Sequence, residues 1–436
     1  MDTLRIVGGN RLNGAIDISC AKNAVLPLMI ASLLTEEEVT LENVPKLRDV
    51  TTLRKILEHH GVDCRTGTED IEPTKTRNRI SRSLTLSAPT ITSNVAPYEL
   101  VSKMRASFWV ISPLLARCGE ARVSLPGGCA IGTRPVNFIT DSLERLGAEV
   151  RIDGGYVVAK TLKGLRGTAI DMPKPSVGTT HSIMMAATLA RGETTIKNAA
   201  QEPEIMDLAN CLNSMGAKIE GAGTSTIRIY GVERLRGTTH RVMPDRIEAG
   251  TYAMAAAITG GDLLLRRVPE ELLSGVIEVL RMAGADIECT SDSIRVTCDK
   301  TELIPCDITT APFPGFPTDL QAQFTAMMTQ AEGSSLITES IFENRFMHVS
   351  ELCRLGAKIT LKGQVAKVEG KTHLVGAPVM ATDLRASVSL ILAALVSEGT
   401  TTISRVYHLD RGFEDLEYKL SRCGAIIERI TDSEIE

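Results

Sequence analysis

Apolar and polar positions follow a pattern along this chain that returns six times. A run with helical spacing, such as Ile205-Met206-Asp207-Leu208-Ala209-Asn210-Cys211-Leu212, is stopped by glycine and followed by an alternating run such as Ala217-Lys218-Ile219-Glu220. The stops are Gly61-Val62, Gly147-Ala148, Gly216-Ala217, Gly284-Ala285, Gly356-Ala357 and Gly424-Ala425. Each predicts a helix closed by glycine and then a strand. Upstream of five of them stands a glycine-led, β-rich run: Gly119-Glu120-Ala121-Arg122-Val123, Gly192-Glu193-Thr194-Thr195-Ile196, Gly261-Asp262-Leu263-Leu264-Leu265, Gly333-Ser334-Ser335-Leu336-Ile337 and Gly399-Thr400-Thr401-Thr402-Ile403. The first copy uses Thr35-Glu36-Glu37-Glu38-Val39-Thr40-Leu41 instead.

Ahead of these strands lie helices apolar on nearly every face, for example 181–190 and 387–395. Such helices are buried ones. The unit is a buried helix, a strand, an amphipathic helix and further strands, repeated at roughly 70 residues. Six units suit two α/β domains of three units each, against the alternative of an open solenoid.

Length and composition fit that reading. The 436 residues exceed the roughly 250 to 300 at which a single core stops growing. A net charge of -5 offers no general attraction to nucleic acid or to an anionic membrane, so an anion site has to be built locally. The ten cysteines are scattered without a Cys-x-x-Cys pair and read as reduced thiols, and the seven histidines lack metal-ligand spacing, so no metal is expected. With no secretory signal and no uninterrupted membrane-spanning run in these residues, the cytoplasm is the expected location.

Polar residues gather where the apolar helices start: Lys22-Asn23, Ser176-Val177-Gly178, Asp245-Arg246, Thr318-Asp319 and Asp383-Leu384-Arg385, with Arg105 placed within the second helix. Ser176, Thr318 and Asp383 can be read as plain N-caps. Lys22, Arg105 and Arg385 cannot, because a cation near a helix N-terminus is unfavourable unless something negative lies beside it. An anionic substrate would serve. The loop Pro126-Gly127-Gly128-Cys129-Ala130-Ile131-Gly132-Thr133-Arg134-Pro135 presents a further candidate, since Arg134 near an exposed thiol lowers its pKa, although most lone cysteines are simply buried.

These segments, together with Lys103-Met104-Arg105-Ala106-Ser107, Phe316-Pro317-Thr318-Asp319, Phe342-Glu343-Asn344-Arg345 and His408-Leu409-Asp410-Arg411-Gly412, occur in an order that resembles the UDP-N-acetylglucosamine enolpyruvyl transferases, or 1-carboxyvinyltransferases. The resemblance spans nearly the whole chain. It implies an inside-out α/β barrel of two domains, residues 22–243 and residues 1–21 with 244–436, and an active site in the cleft between them. It also implies transfer of the enolpyruvyl group of phosphoenolpyruvate to the sugar 3-hydroxyl by addition and elimination, the first committed step of peptidoglycan synthesis, without a cofactor.

By the same resemblance Lys22, Arg134 and Arg411 hold phosphoenolpyruvate, Asp319 accepts the hydroxyl proton, and Cys129 protonates C3 and is the residue fosfomycin would alkylate. Asn23 contacts the sugar. Arg105, Arg345 and Arg385 support the charge, and Ile341 is a further substrate contact. Pro135 and Val136, with Arg134, Ser176, Val177 and Gly178, face the uridine diphosphate. Asn137 and Ile139 stand where relatives often show Asp and His, which implies a weakened or replaced nucleotide contact. Residues 66–90 read as an exposed hairpin or loop. The rivals are the sister enzyme acting on shikimate 3-phosphate and a paralogue that binds a UDP-sugar without turnover.

Overall fold

The computed structural model describes residues 2–70, 80–127, 136–298 and 303–431. The chain divides into two units: one gathers the residues up to Ser19 with Pro244 onward, and the other is built from residues between Cys20 and Met243. Each has its own hydrophobic core.

Among the described residues each unit holds three four-stranded sheets of one design. An edge strand runs parallel to its neighbour, and the two remaining strands continue antiparallel. In the unit between Cys20 and Met243 this is Val95–Ala96 beside Glu120–Ser124, then Tyr156–Lys160 and Glu149–Asp153. Ala169–Asp171, Glu193–Lys197, Thr226–Tyr230 and Lys218–Glu220 repeat it. The strand after the parallel edge is the glycine-led run anticipated from sequence. The 66–90 segment contributes an antiparallel pair, Asp63–Asp70 with Ile80–Ser87.

The other unit uses the N-terminal segment twice. Asn13–Asp17 is the parallel edge beside Asp262–Arg266. Thr3–Val7 lies between Thr400–Ser404 and Ile426–Ile430, antiparallel to both. The first residues therefore complete the fourth and sixth repeats, and a repeat needs its missing strand to bury its apolar face.

Local chemistry explains why each outer helix stops where it does. Gly61, Gly147, Gly216, Gly284, Gly356 and Gly424 all lie between φ 92° and 102°. At each, the glycine N–H donates to the carbonyl three residues back, and the next residue's N–H donates to the carbonyl of a leucine five back, as in Ala217 to Leu212 and Ala425 to Leu420. These are Schellman closures. The leucines at 57, 143, 212, 280, 352 and 420 are buried. Full burial of each is worth roughly 1.5 to 3 kcal/mol.

The inner helices include Lys22–Ala31, Val177–Ala187, Gln321–Met328 and Leu384–Val396. Every residue of the helix Arg246–Thr259 is buried. No helix of the described residues is long and apolar enough to cross a membrane.

Candidate active site

In the unit carrying the N-terminal segment, a short 3-10 turn, Thr318–Leu320, leads into the helix Gln321–Met328. Asp319 on that turn lies between two arginines: Arg345 Nη2 is 2.7 Å from Oδ1 and Arg385 Nη2 is 3.1 Å from Oδ2. Both guanidinium groups are nearly buried, at 8% and 5% side-chain exposure, while Asp319 keeps 23%. Burial would raise the Asp319 pKa. The charges of Arg385 and Arg345, the Arg345 hydrogen bond and the Arg246 charge outweigh it and hold the carboxyl well below the usual range. His348 is lowered too, to about 3, by burial and by Arg345, and stays neutral.

Aromatic faces support these cations. Arg345 lies over Phe342 at 5.3 Å and Arg385 over Phe413 at 5.7 Å. Arg385 Nη1 is buried without a hydrogen-bond partner among the described residues. A buried guanidinium edge left open in this way suits an anion.

The expected caps divide. Asp383 accepts from the backbone N–H of Arg385 and Ala386, and Ser176 accepts from Thr179 N–H, so both are caps. Thr318 is not; its hydroxyl is 2.8 Å from Glu339. Half-buried Arg411 ends the 3-10 turn Val406–Arg411, which packs on the helix Leu384–Val396. Neighbouring Asp410 is gripped by Arg429 at 2.7 and 3.2 Å, and Arg429 also holds Glu417 at 2.6 Å. Arg429 carried no sequence signal. Ile341 is half-buried, beside the same loop as Arg345.

In the unit between Cys20 and Met243, Lys22 opens the first inner helix and meets Asp49 Oδ2 at 2.8 Å. Their side chains are 11% and 3% exposed, so this is a buried pair. Asp49 sits in the first turn of the outer helix Arg48–His59, and nothing in the sequence marked it as the partner. The anion expected beside these helix-start cations is thus partly supplied by the protein itself.

Asn23 is half-buried next to Lys22. Arg105 opens a 3-10 turn, Arg105–Val110, ahead of the helix Ile111–Cys118 instead of lying within that helix. This turn packs against both Lys22–Ala31 and Val177–Ala187. At the start of the latter, Ser176, Val177 and Gly178 are half-buried. A Cβ on Gly178 would come 2.8 Å from Trp109 Nε1, so the close approach of the indole requires glycine there.

Val136 precedes the outer helix Asn137–Arg145. Asn137 is exposed, whereas Ile139 is buried in the core, which accounts for its apolar character by packing. Lys174 lies over Phe138 at 6.0 Å, beside a hollow of about 300 Å³ lined by Phe138, Arg145, Asp171 and Met172 among others. Lys174 was not singled out from sequence. Cys129, Arg134 and Pro135 lie outside the described residues. Among the described residues no group of three or more His, Cys, Asp or Glu is placed to hold a metal ion.

Residues 6–420 match the family model described as EPSP synthase (3-phosphoshikimate 1-carboxyvinyltransferase). The chain is 61% identical over 435 residues to a UDP-N-acetylglucosamine 1-carboxyvinyltransferase of Xanthobacter autotrophicus, covering 99% of this chain and 100% of the relative. It is 63% identical over 436 residues to the enzyme of the same name from Beijerinckia indica, covering 99% of each. Among solved structures, the enolpyruvyl transferase NikO from Streptomyces tendae superposes with a TM-score of 0.86 at 26% identity, covering 99% of both chains. An EPSP synthase from Acinetobacter baumannii, with a TM-score of 0.72 at 20% identity over 99% of this chain and 100% of its own, shares the fold.

Proposed function

The chain belongs to the enolpyruvyl transferase family of EPSP synthase, and from that premise we propose that it transfers the enolpyruvyl group of phosphoenolpyruvate to the 3-hydroxyl of UDP-N-acetylglucosamine, releasing phosphate. The observation that carries this reading is identity above 60% along the full length to enzymes named for that acceptor. The reaction is the first committed step of peptidoglycan synthesis. The proposed arrangement of each unit is an inside-out barrel with helices within, supported by the complete burial of the helix Arg246–Thr259.

The sugar oxygen bonds to C2 of phosphoenolpyruvate while C3 gains a proton; the C2–phosphate bond then breaks as C3 loses a proton, and the enol ether is left. Asp319 takes the hydroxyl proton. Arg385, with a buried edge open, and Arg345 serve the anionic groups beside it, as do Lys22, Arg105, Arg134 and Arg411. Asn23 and Ile341 contact the sugar side, and Ser176, Val177, Gly178, Pro135 and Val136 the nucleotide. Cys129 delivers the proton to C3.

Phosphate release from phosphoenolpyruvate, measured with each acceptor in turn, tests the assignment. Turnover with UDP-N-acetylglucosamine is expected, and turnover with shikimate 3-phosphate alone would overturn it. Mass spectrometry after exposure to fosfomycin should place the added mass on Cys129; an unmodified Cys129 in an active enzyme would remove that residue from the mechanism.

A further inference from the structure

Glu339 follows the strand Ser334–Thr338 and is fully buried. Its carboxylate collects four donors. Oε1 accepts from the Thr310 hydroxyl at 3.0 Å, the Ile341 N–H at 2.9 Å and the Phe342 N–H at 3.1 Å. Oε2 accepts from the Thr318 hydroxyl at 2.8 Å. The same hydroxyl oxygen lies 2.8 Å from Arg345 Nη1, and Arg345 Nη2 is the atom that meets Asp319.

Donor and acceptor chemistry leaves this chain one direction. An ionised carboxylate only accepts and a guanidinium only donates. Thr318 therefore gives its proton to Glu339 and receives from Arg345. The hydroxyl cannot turn without leaving either a buried carboxylate oxygen or a buried guanidinium nitrogen unpaired, and each such loss is costly. With Nη1 fixed on Thr318, the planar guanidinium has its second nitrogen aimed at Asp319.

Resting on the function proposed above, we infer that Glu339 is a positioning residue which, through Thr318, aims Arg345 at Asp319 and holds the loop that starts at Ile341. The resemblance and the sequence pattern assign it no part. Among the described residues the groups acting on Asp319 include Arg345, Arg385 and, from the buried helix Arg246–Thr259, Arg246; His348 beside Arg345 is neutral. Glu339 and Thr318 thus govern one of the cations acting on Asp319.

Thr318→Val keeps the side-chain shape and cuts the link on both sides, whereas Thr318→Ser keeps the hydroxyl. In Thr318→Val, kcat should fall about tenfold to a hundredfold, as misplaced reacting groups do, with KM for both substrates changed less than about threefold. The acid limb of the kcat–pH profile should move to higher pH, because Asp319 loses part of the Arg345 charge that favours its ionised form. Thr318→Ser should restore both, and Glu339→Gln should fall between.

Wild-type pH dependence and kcat in Thr318→Val, or equal loss in Val and Ser variants, would overturn the inference. If Glu339→Gln fails to fold, the two Thr318 variants decide alone. A wild-type enzyme that turns over with neither acceptor would bring down the functional reading and this inference together. An active wild type with an indifferent Thr318→Val would bring down this inference only.

Discussion

Asp319 is the residue at which packing and chemistry meet. A general base is most effective with a pKa near the working pH, yet Arg345 and Arg385 hold this carboxyl far lower. In the proposed reaction the arginines also face an anionic substrate. Negative charge on phosphate or carboxylate beside them offsets part of theirs, so Asp319 becomes more basic when it is to take the hydroxyl proton. Asp319→Asn preserves the shape and one acceptor but removes the base. We expect kcat to fall about 10²- to 10⁴-fold with KM affected far less, measured by phosphate release. A variant with near-normal kcat would show that another group takes the proton. Lys22 is likewise matched by Asp49, and in the proposed reaction an anionic substrate competes with that carboxylate for it.

At the scale of the element, the glycine closure of the outer helices is the device on which the repeats turn. Around Gly147 and Gly216 a Cβ would have open space, so glycine is required there by the backbone angle and not by crowding. Gly178 is the opposite case, where Trp109 leaves no room. Gly216→Ala should therefore destabilise by about 1 to 2 kcal/mol, the strain of a left-handed alanine, while Gly216→Asn should lose less. Urea unfolding of the two variants checks this, and equal midpoints for wild type and alanine would contradict it.

For the whole molecule, stability in mild acid is set in part by histidines held neutral in the two cores. His60 and His181 are lowered by burial to about 4 and His348 to about 3, against an ordinary value of 6.5. The unfolded chain binds these protons near pH 6.5 and the folded chain does not until far lower. Their contribution is fully present above pH 6.5 and is lost as pH falls toward 4 and then 3. Each lowers stability by up to about 1.4 kcal/mol per pH unit in that window. Urea midpoints should drop between pH 7 and pH 4.5, and His348→Leu should flatten the slope. A level profile across that range would refute the assignment.

The six-fold repeat, its glycine stops and its buried helices were determined by the sequence alone, because they rest on local rules. A Schellman closure is completed within six residues, and a helix apolar on all faces has to be buried wherever it lies. The residue types proposed for the site were also legible: cations at helix starts where caps do not account for them, and a cysteine in a loop of glycine and proline. Tertiary structure decided which acid each cation meets. Asp49 reaches Lys22 only because an outer helix packs on an inner one. Asp319 meets Arg345 and Arg385 across 26 and 66 residues of chain. Glu339 has no periodic or compositional mark, and the strand Thr3–Val7 completes a sheet with residues near the other end of the chain. Pairings of this kind depend on how separate elements pack, and local propensity carries no record of that.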